Sequence, residues 1–305
     1  MKNMTTNRYM KGIMWAMLAS TLWGISGTVM QFVSQNQAIP ADWFLSVRTL
    51  SAGIILLAIG FVQQGTKIFK VFKSWASVGQ LVAYATMGLM ANMYTFYISI
   101  ERGTAAAATI LQYLSPLFIV LGTLLFKREL PLRTDLIAFA VSLLGVFLAI
   151  TKGNIHELAI PMDALVWGVL SGVTAALYVV LPRKIVAENS PVVILGWGTL
   201  IAGILFNLYH PIWVGAPKIT PTLVTSIGAI VLIGTIFAFL SLLHSLQYAP
   251  SAVVSIVDAV QPVVTFVLSI IFLGLQVTWV EILGSLLVIV AIYILQQYRS
   301  DPASD

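Results

Sequence analysis

The sequence predicts an all-α integral membrane protein, with ten transmembrane helices forming two inverted five-helix repeats. Three observations predict it. The 305 residues are 59% hydrophobic and only 9% charged, far below the roughly one quarter charged of soluble domains. The apolar runs approach the roughly 20 residues a helix needs to cross hydrocarbon, and they lack the alternation of barrel strands. Finally, "TLSAGIIL" at Thr49–Leu56 returns as "TLIAGILF" at Thr199–Phe206.

Charges, prolines and polar clusters divide the chain into ten spans: Met10 to Val33, Ala41 to Val62, Trp75 to Ser99, Thr104 to Phe126, Arg133 to Ile150, Met162 to Leu181, Pro191 to His210, Pro221 to Leu246, Pro250 to Leu273 and Val277 to Gln296. Residues 10–150 form the first repeat, 162–297 the second, and 298–305 a short tail. The connections leave no room for a soluble domain. Span 1 is too long, and lacks the following small-residue cleavage site, for a removable signal peptide.

Lys and Arg set the orientation. With the N-terminus inside, Lys2, Arg8, Lys11, Lys67, Lys70, Lys73, Lys127, Arg128, Arg133, Arg183, Lys184 and Arg299 lie inside, against Arg102, Lys152 and Lys218 outside. Both termini are therefore expected in the cytoplasm of a multi-pass cell (plasma or inner) membrane protein. The net charge of +5 reflects this bias and calls for no nucleic-acid partner. "KIFKVFK" reads first as a topology signal and second as a contact for anionic lipid of the bilayer.

The repeat extends beyond one octapeptide. Trp15 meets Trp167, Thr49 meets Thr199, Gly88 meets Gly234 and Pro116 meets Pro262, in collinear order. Five spans per copy is an odd number, so the second copy enters the membrane from the opposite side. Two such bundles can exchange their packing and open a central site to either face, which suits alternating access. A duplication kept only for packing is the alternative.

The chain also resembles the EamA family of the drug/metabolite transporter superfamily, from about Met10 to Gln297. The likeness rests on "LASTLWG" at Leu18–Gly24, Arg48, "ERGTAAAATILQYLSPLFIVLGTLLFKREL" at Glu101–Leu130 and its echo "QYAPSAVVSIVDAVQPVVTFVLSIIFLGL" at Gln247–Leu275. The resemblance implies ten helices in two inverted repeats. It also implies a cavity built largely from helices 3, 4, 8 and 9, with helices 1 and 6 beside it, and efflux or uptake of small metabolites. The family often repeats an acid after the ninth span. Here Glu129 closes the first copy, whereas the second has Leu275 and Gln276.

Polar residues within spans are costly and so informative. Asp258 lies about 12 Å into span 9 at 1.5 Å per residue, where a charge costs about 2.5–3.5 kcal/mol. Its repeat partner in span 4 is Gln112. Ser251, Ser255, Asp258 and Pro262 share one stripe of span 9, and Thr104, Ala108, Gln112 and Ser115 one of span 4. These stripes are expected to face each other as the cavity wall. Asp258 could bind a cationic group, carry a coupling proton, or be a hydrogen-bonded structural residue. Arg48 is its candidate counter-charge, though an Arg on a peripheral span 2 could equally snorkel or tie helix ends. Glu101 and Arg102 read as a surface cluster.

Tyr94, Tyr97, Tyr113 and Trp167 are binding candidates for an amphipathic or cationic solute, while Trp15, Trp43, Trp75, Trp213 and Trp279 lie at span edges, as interface anchors do. His244, with Gln247 one turn on, could share a proton path or be a satisfied polar residue near the interface. Pro116 and Pro262 are candidate hinges. With no cysteine, no HExxH, no GxSxG with a paired His and no P-loop, the chain is not read as an enzyme, and no metal or cofactor is expected. The function expected is secondary transport, most simply efflux, of a small metabolite such as an amino acid. A membrane sensor or lipid-handling scaffold is the alternative.

Overall fold

Inside hydrocarbon every backbone polar group must find its partner within the protein, and helices satisfy that locally. The computed structural model describes residues 2–128, 130, 132–152, 158–245, 247–249, 254 and 257–299, and the side chains from 10 to 294 among them except that of residue 127. No strand occurs among these residues. In the first half, α1 (Lys2–Gln31) runs into a π-helical turn at Phe32–Asn36, and α2 (Ala41–Gln64) into a 3₁₀ segment at Gly65–Lys73. Helices α3 (Trp75–Ala83) and α4 (Ala91–Arg102) are joined through a π-helical stretch at Tyr84–Met90. Then come α5 (Ala105–Gln112), α6 (Ser115–Gly122) with a π turn at Thr123–Lys127, and α7 (Arg133–Thr151).

The second half comprises α8 (Met162–Val180), the short α9 (Arg183–Glu188), α10 (Pro191–Tyr209), α11 (Pro221–Val231) joined by a π stretch at Leu232–Phe237 to α12 (Ala238–Ser245), α13 (Val260–Leu273) and α14 (Trp279–Arg299). Among the described residues, seven helical stretches are long and apolar enough to cross a membrane, and Val260–Leu273 and Trp279–Ile294 are shorter apolar helices. The stretch from α3 to α4 is long but carries Asn92, Thr95 and Ser99, which lower its apolarity.

Packing follows the duplication. Helix α2 lies against α10, and α7 against α14; α4 meets α8 as α12 meets α1, and α6 meets α8 as α13 meets α1. Exchanging the halves maps each of these pairings onto itself or onto another of them. The octapeptide echo sits at the α2–α10 crossing. A β-carbon on Gly53 would stand 2.6 Å from the Leu200 nitrogen, and one on Gly203 2.7 Å from the Leu50 nitrogen. Farther along, Gly196 faces Leu57, so the two helices run antiparallel. Thr49 and Thr199 are fully buried, and each donates its Oγ1 proton to the carbonyl four residues back, at Leu45 and Leu195, at 2.6 Å. The motif recurs because each copy supplies the small residue over which the other's backbone passes.

The π-helical stretches obey the same exchange. Gly88 in the first approaches Tyr178 of α8, and Gly234 in the second presses on Ser26 of α1, so the contacting positions correspond as Trp15 does to Trp167. At the α7–α14 crossing, β-carbons on Gly145 and Gly284 would meet each other's carbonyl oxygens at 2.7 and 2.5 Å. Both helices start on a capping acid: Leu132 N–H donates to Asp135 at 2.9 Å, and Thr278 N–H to Glu281 at 2.8 Å. Lys152, at the far end of α7, pairs with buried Glu281 at 3.2 Å and so ties the two helices together.

Candidate functional site: a polar cavity at two broken helices

The fourth predicted span is interrupted. Proline has no N–H, so Pro116 and Pro262 each leave the carbonyl four residues earlier, at Gln112 and Asp258, without its helical partner. Helix α5 stops at Gln112, Leu114 N–H turns back to the Leu111 carbonyl at 3.1 Å, and α6 restarts at Ser115. In the other copy Val257 and Asp258 are helical, Ala259 is a turn, and α13 begins at Val260. The two deep polar side chains therefore sit just before equivalent breaks.

Their surroundings differ in detail. Tyr113 Oη lies 2.6 Å from the Asp258 carbonyl and 3.3 Å from Gln261 Oε1, and the shorter contact takes its proton. The carbonyl freed by Pro262 is thereby satisfied from the opposite repeat. The Asp258 carboxylate is 3.0 Å from Ser20 Oγ, whose single proton is shared with the Ala16 carbonyl at 3.0 Å. Gln112 Nε2 donates to Ser171 Oγ at 3.1 Å and reaches Asn92 Oδ1 at 3.4 Å. Thus α1 serves the Asp258 side as α8 serves the Gln112 side.

These groups open onto one cavity of about 430 Å³. Its polar wall carries Asp258, Gln112, Tyr113, Asn92, Gln261 and Arg48, and its apolar wall Trp23, Phe96, Tyr178 and Phe239. Trp23 meets Phe239 edge-on at 5.4 Å, so the aromatic side is a packed surface rather than isolated rings. A run of polar contacts joins the C-terminal end of α1 to α4 and α5. Gln31 is 6% exposed and accepts the Ala105 N–H at 2.7 Å, while its own amide donates to Gln35 at 3.1 Å. Gln35 in turn donates to the carbonyls of Ile100 at 2.9 Å and Gly103 at 2.7 Å. Beside these contacts Arg102 pairs with Asp163 at 2.7 Å, so the exposed arginine of the Glu101–Arg102 cluster bridges to α8.

The cavity brings together Asp258, Gln112, Tyr113, Pro116 and Arg48. It does not include Tyr94, Tyr97, Trp167, Pro262 or His244 in its lining. Tyr97 is fully buried, stacks on Phe44 at 4.7 Å and donates to the Ile39 carbonyl at 3.0 Å. Tyr94 meets Trp167 edge-on at 5.7 Å beside the same apolar cluster. Pro262 is buried in α13. His244 is held edge-on between Trp15 at 4.8 Å and Tyr248 at 5.1 Å. Ser255 and Ser251 lie outside the described residues, as does Glu129. Sequence reasoning missed Trp23, Asn92, Tyr178 and Gln261. Asn92 and Gln261 carry the same signal as Gln112, a polar side chain deep in an apolar span.

A family model for EamA-like transporters matches residues 10–151 and again 162–296, once per repeat. The chain belongs to the EamA-like transporter family. Among relatives, it is 30% identical over 285 residues to the uncharacterized inner membrane transporter YicL of Salmonella typhimurium, covering 93% of this chain and 95% of that one. An uncharacterized transporter of Archaeoglobus fulgidus is 24% identical over 294 residues, 93% of this chain and 99% of that protein. A solved crystal structure matches with a TM-score of 0.63 at 16% identity over 98% of both chains, a likeness of fold alone. This EamA-like chain is thus a multi-pass membrane transporter by family, built from two repeats.

The Tyr113 hydrogen bond gives a direct test of the site's construction. Tyr113→Phe removes the donor that satisfies the Asp258 carbonyl, at a cost of about 1–3 kcal/mol. A thermal unfolding scan in detergent is expected to show a lowered midpoint, whereas Ser115→Ala, on the same cavity wall, leaves it unchanged.

Proposed function

We propose that this EamA-like protein is a secondary carrier of ten transmembrane helices, moving a small amphipathic metabolite, amino acids included, out of the cell by alternating access. Both termini face the cytoplasm, the arrangement favoured by twelve inner against three outer Lys and Arg residues in the loops. The observation that carries the reading is the placement of Asp258 and Gln112 at equivalent helix breaks on one cavity, with exchange-related contacts all around it. A polar pocket at the junction of two inverted copies can open to either side while its binding groups stay nearly fixed. Asp258 and Gln112 are the polar anchors for the solute, and Trp23, Phe96, Tyr178 and Phe239 take its apolar body.

In this orientation the Gln31–Gln35 contacts lie on the outer side, and they are read as the outer closure of an inward-facing state. The repeat positions of Gln31 and Gln35 are Arg183 and Ala187, which cannot reproduce the same amide ladder. On a background carrying one cysteine introduced at Ser115 of the cavity wall, Gln31→Ala is therefore expected to increase labelling by an impermeant external reagent several-fold. Asp258 also serves as the proton carrier for coupling.

Counterflow of radiolabelled solute into proteoliposomes tests the proposal. Flux in the parent that is strongly reduced in Asp258→Asn and Gln112→Ala is the expected result. Solute binding without flux would instead identify a membrane sensor. Proton coupling predicts that an imposed pH gradient accelerates transport in the parent and has no effect on whatever flux Asp258→Asn retains.

A further inference from the structure

Arg48 is a cation without an adequate partner on the wall of the solute cavity. Among the described residues its one hydrogen bond runs from Nη1 to the Met30 thioether, a weak acceptor, at 3.2 Å, and its Nε is buried with no hydrogen bond. Asp258 lines the same cavity, yet among the described residues no ion pair joins the two. Both charges thus line the cavity that a solute would enter. The repeat architecture does not require this arginine either. Its repeat position, set by the Thr49–Thr199 match, is Gly198, where a β-carbon would stand 2.7 Å from Leu89, so the second copy needs no side chain there. Leaving a guanidinium largely unsatisfied inside a membrane protein is costly, and a fork of N–H donors facing a cavity matches a planar carboxylate.

We infer that Arg48 is an anion subsite that binds the solute's carboxylate, with the solute's ammonium group directed to Asp258. The inference rests on the carrier reading for its setting and narrows it. The cargo class becomes a zwitterion rather than a simple amine or a simple acid. Because both charges line one cavity, both ends of the solute are needed: either congener alone leaves one buried protein charge unanswered.

The test is equilibrium binding to purified protein of each standard amino acid. For every binder, its decarboxylated amine and its deaminated acid are measured too; for leucine these are 3-methylbutylamine and 4-methylpentanoate. The parent is expected to bind at least one amino acid at least tenfold more tightly than either congener. Arg48→Gln is expected to weaken binding of the amino acid at least tenfold while binding the amine as the parent does, which also verifies that the variant is folded. Arg48→Lys is expected to recover part of that affinity. Equal affinity of parent and Arg48→Gln for the amino acid would overturn the inference. So would an amine that binds the parent as well as its amino acid, or binding confined to solutes without a carboxylate. The predicted binding pattern without counterflow would sink the carrier reading and leave the subsite standing.

Discussion

Asp258→Ala is expected to reduce solute counterflow by roughly 10- to 150-fold, the kinetic equivalent of about 1.5–3 kcal/mol for removing one hydrogen bond to a charged group. The carboxylate lies on the cavity, where, among the described residues, it takes a shared hydroxyl proton from Ser20 and has the Tyr113 hydroxyl beside it. Stability is expected to change little, because Ser20 keeps the Ala16 carbonyl and the Tyr113 hydroxyl donates to the Asp258 backbone, which alanine preserves. Removing a buried carboxylate also removes its desolvation cost. Transport assays in proteoliposomes, read beside a thermal scan of the same preparation, separate the two effects. A variant that is both inactive and unfolded would contradict this assignment, and so would one that transports normally.

Gly284→Val is expected to prevent the protein from folding as a monodisperse species. The obstacle is backbone against backbone. A β-carbon there would lie 2.5 Å from both the Ala149 nitrogen and the Gly145 carbonyl oxygen, and neither can rotate away. Helix α7 must then back off along its whole interface with α14, separating the Lys152–Glu281 pair at one end. Overpacking costs about 1–3 kcal/mol even where side chains can adjust, and here they cannot. Gly145→Val is expected to behave alike, since the two glycines face each other's carbonyls. Gly79 and Gly228 are helical glycines with nothing within 4 Å of an added β-carbon. Their alanine variants are expected to be neutral, or more stable by about 0.5–1 kcal/mol. Size-exclusion profiles in detergent read out all four.

The duplication is legible in the sequence because it is written in small residues. Glycine and threonine at a helix crossing tolerate few replacements, so Thr49, Gly53, Thr199 and Gly203 keep an echo that larger lipid-facing residues do not. Asp258 and Gln112 are likewise legible as a pair, since a polar side chain deep in an apolar span has few uses and the matched prolines fix the offset. Pro116 by itself predicts no more than a hinge in the fourth span. The structure makes it a full helix stop, after which Tyr113 captures a carbonyl of the opposite repeat.

Other features depend on neighbours that no single span reveals. A helical period places Tyr94 and Tyr97 on related faces of α4, but it does not say whether that face meets a cavity or a packed cluster. Here Phe44 and the Ile39 carbonyl occupy Tyr97. On a peripheral second span Arg48 would have no cavity to face. Its helix instead lies on α10, and the side chain reaches the cavity. The opposed Gly145–Gly284 pair is visible as "LLGVFLAI" against "ILGSLLVI", a likeness too short to separate from chance until the two helices are seen to cross there.

Everything proposed for the carrier requires that the two copies span the membrane in opposite directions. The chain contains no cysteine, so single reporters can be placed on a clean background. Lys70, between α2 and α3, and Lys218, between α10 and α11, occupy corresponding connections of the two repeats. With an impermeant maleimide applied to intact cells, Lys218→Cys is expected to be labelled, and Lys70→Cys only after the membrane is opened. Labelling of both positions from the same side would contradict the inverted arrangement.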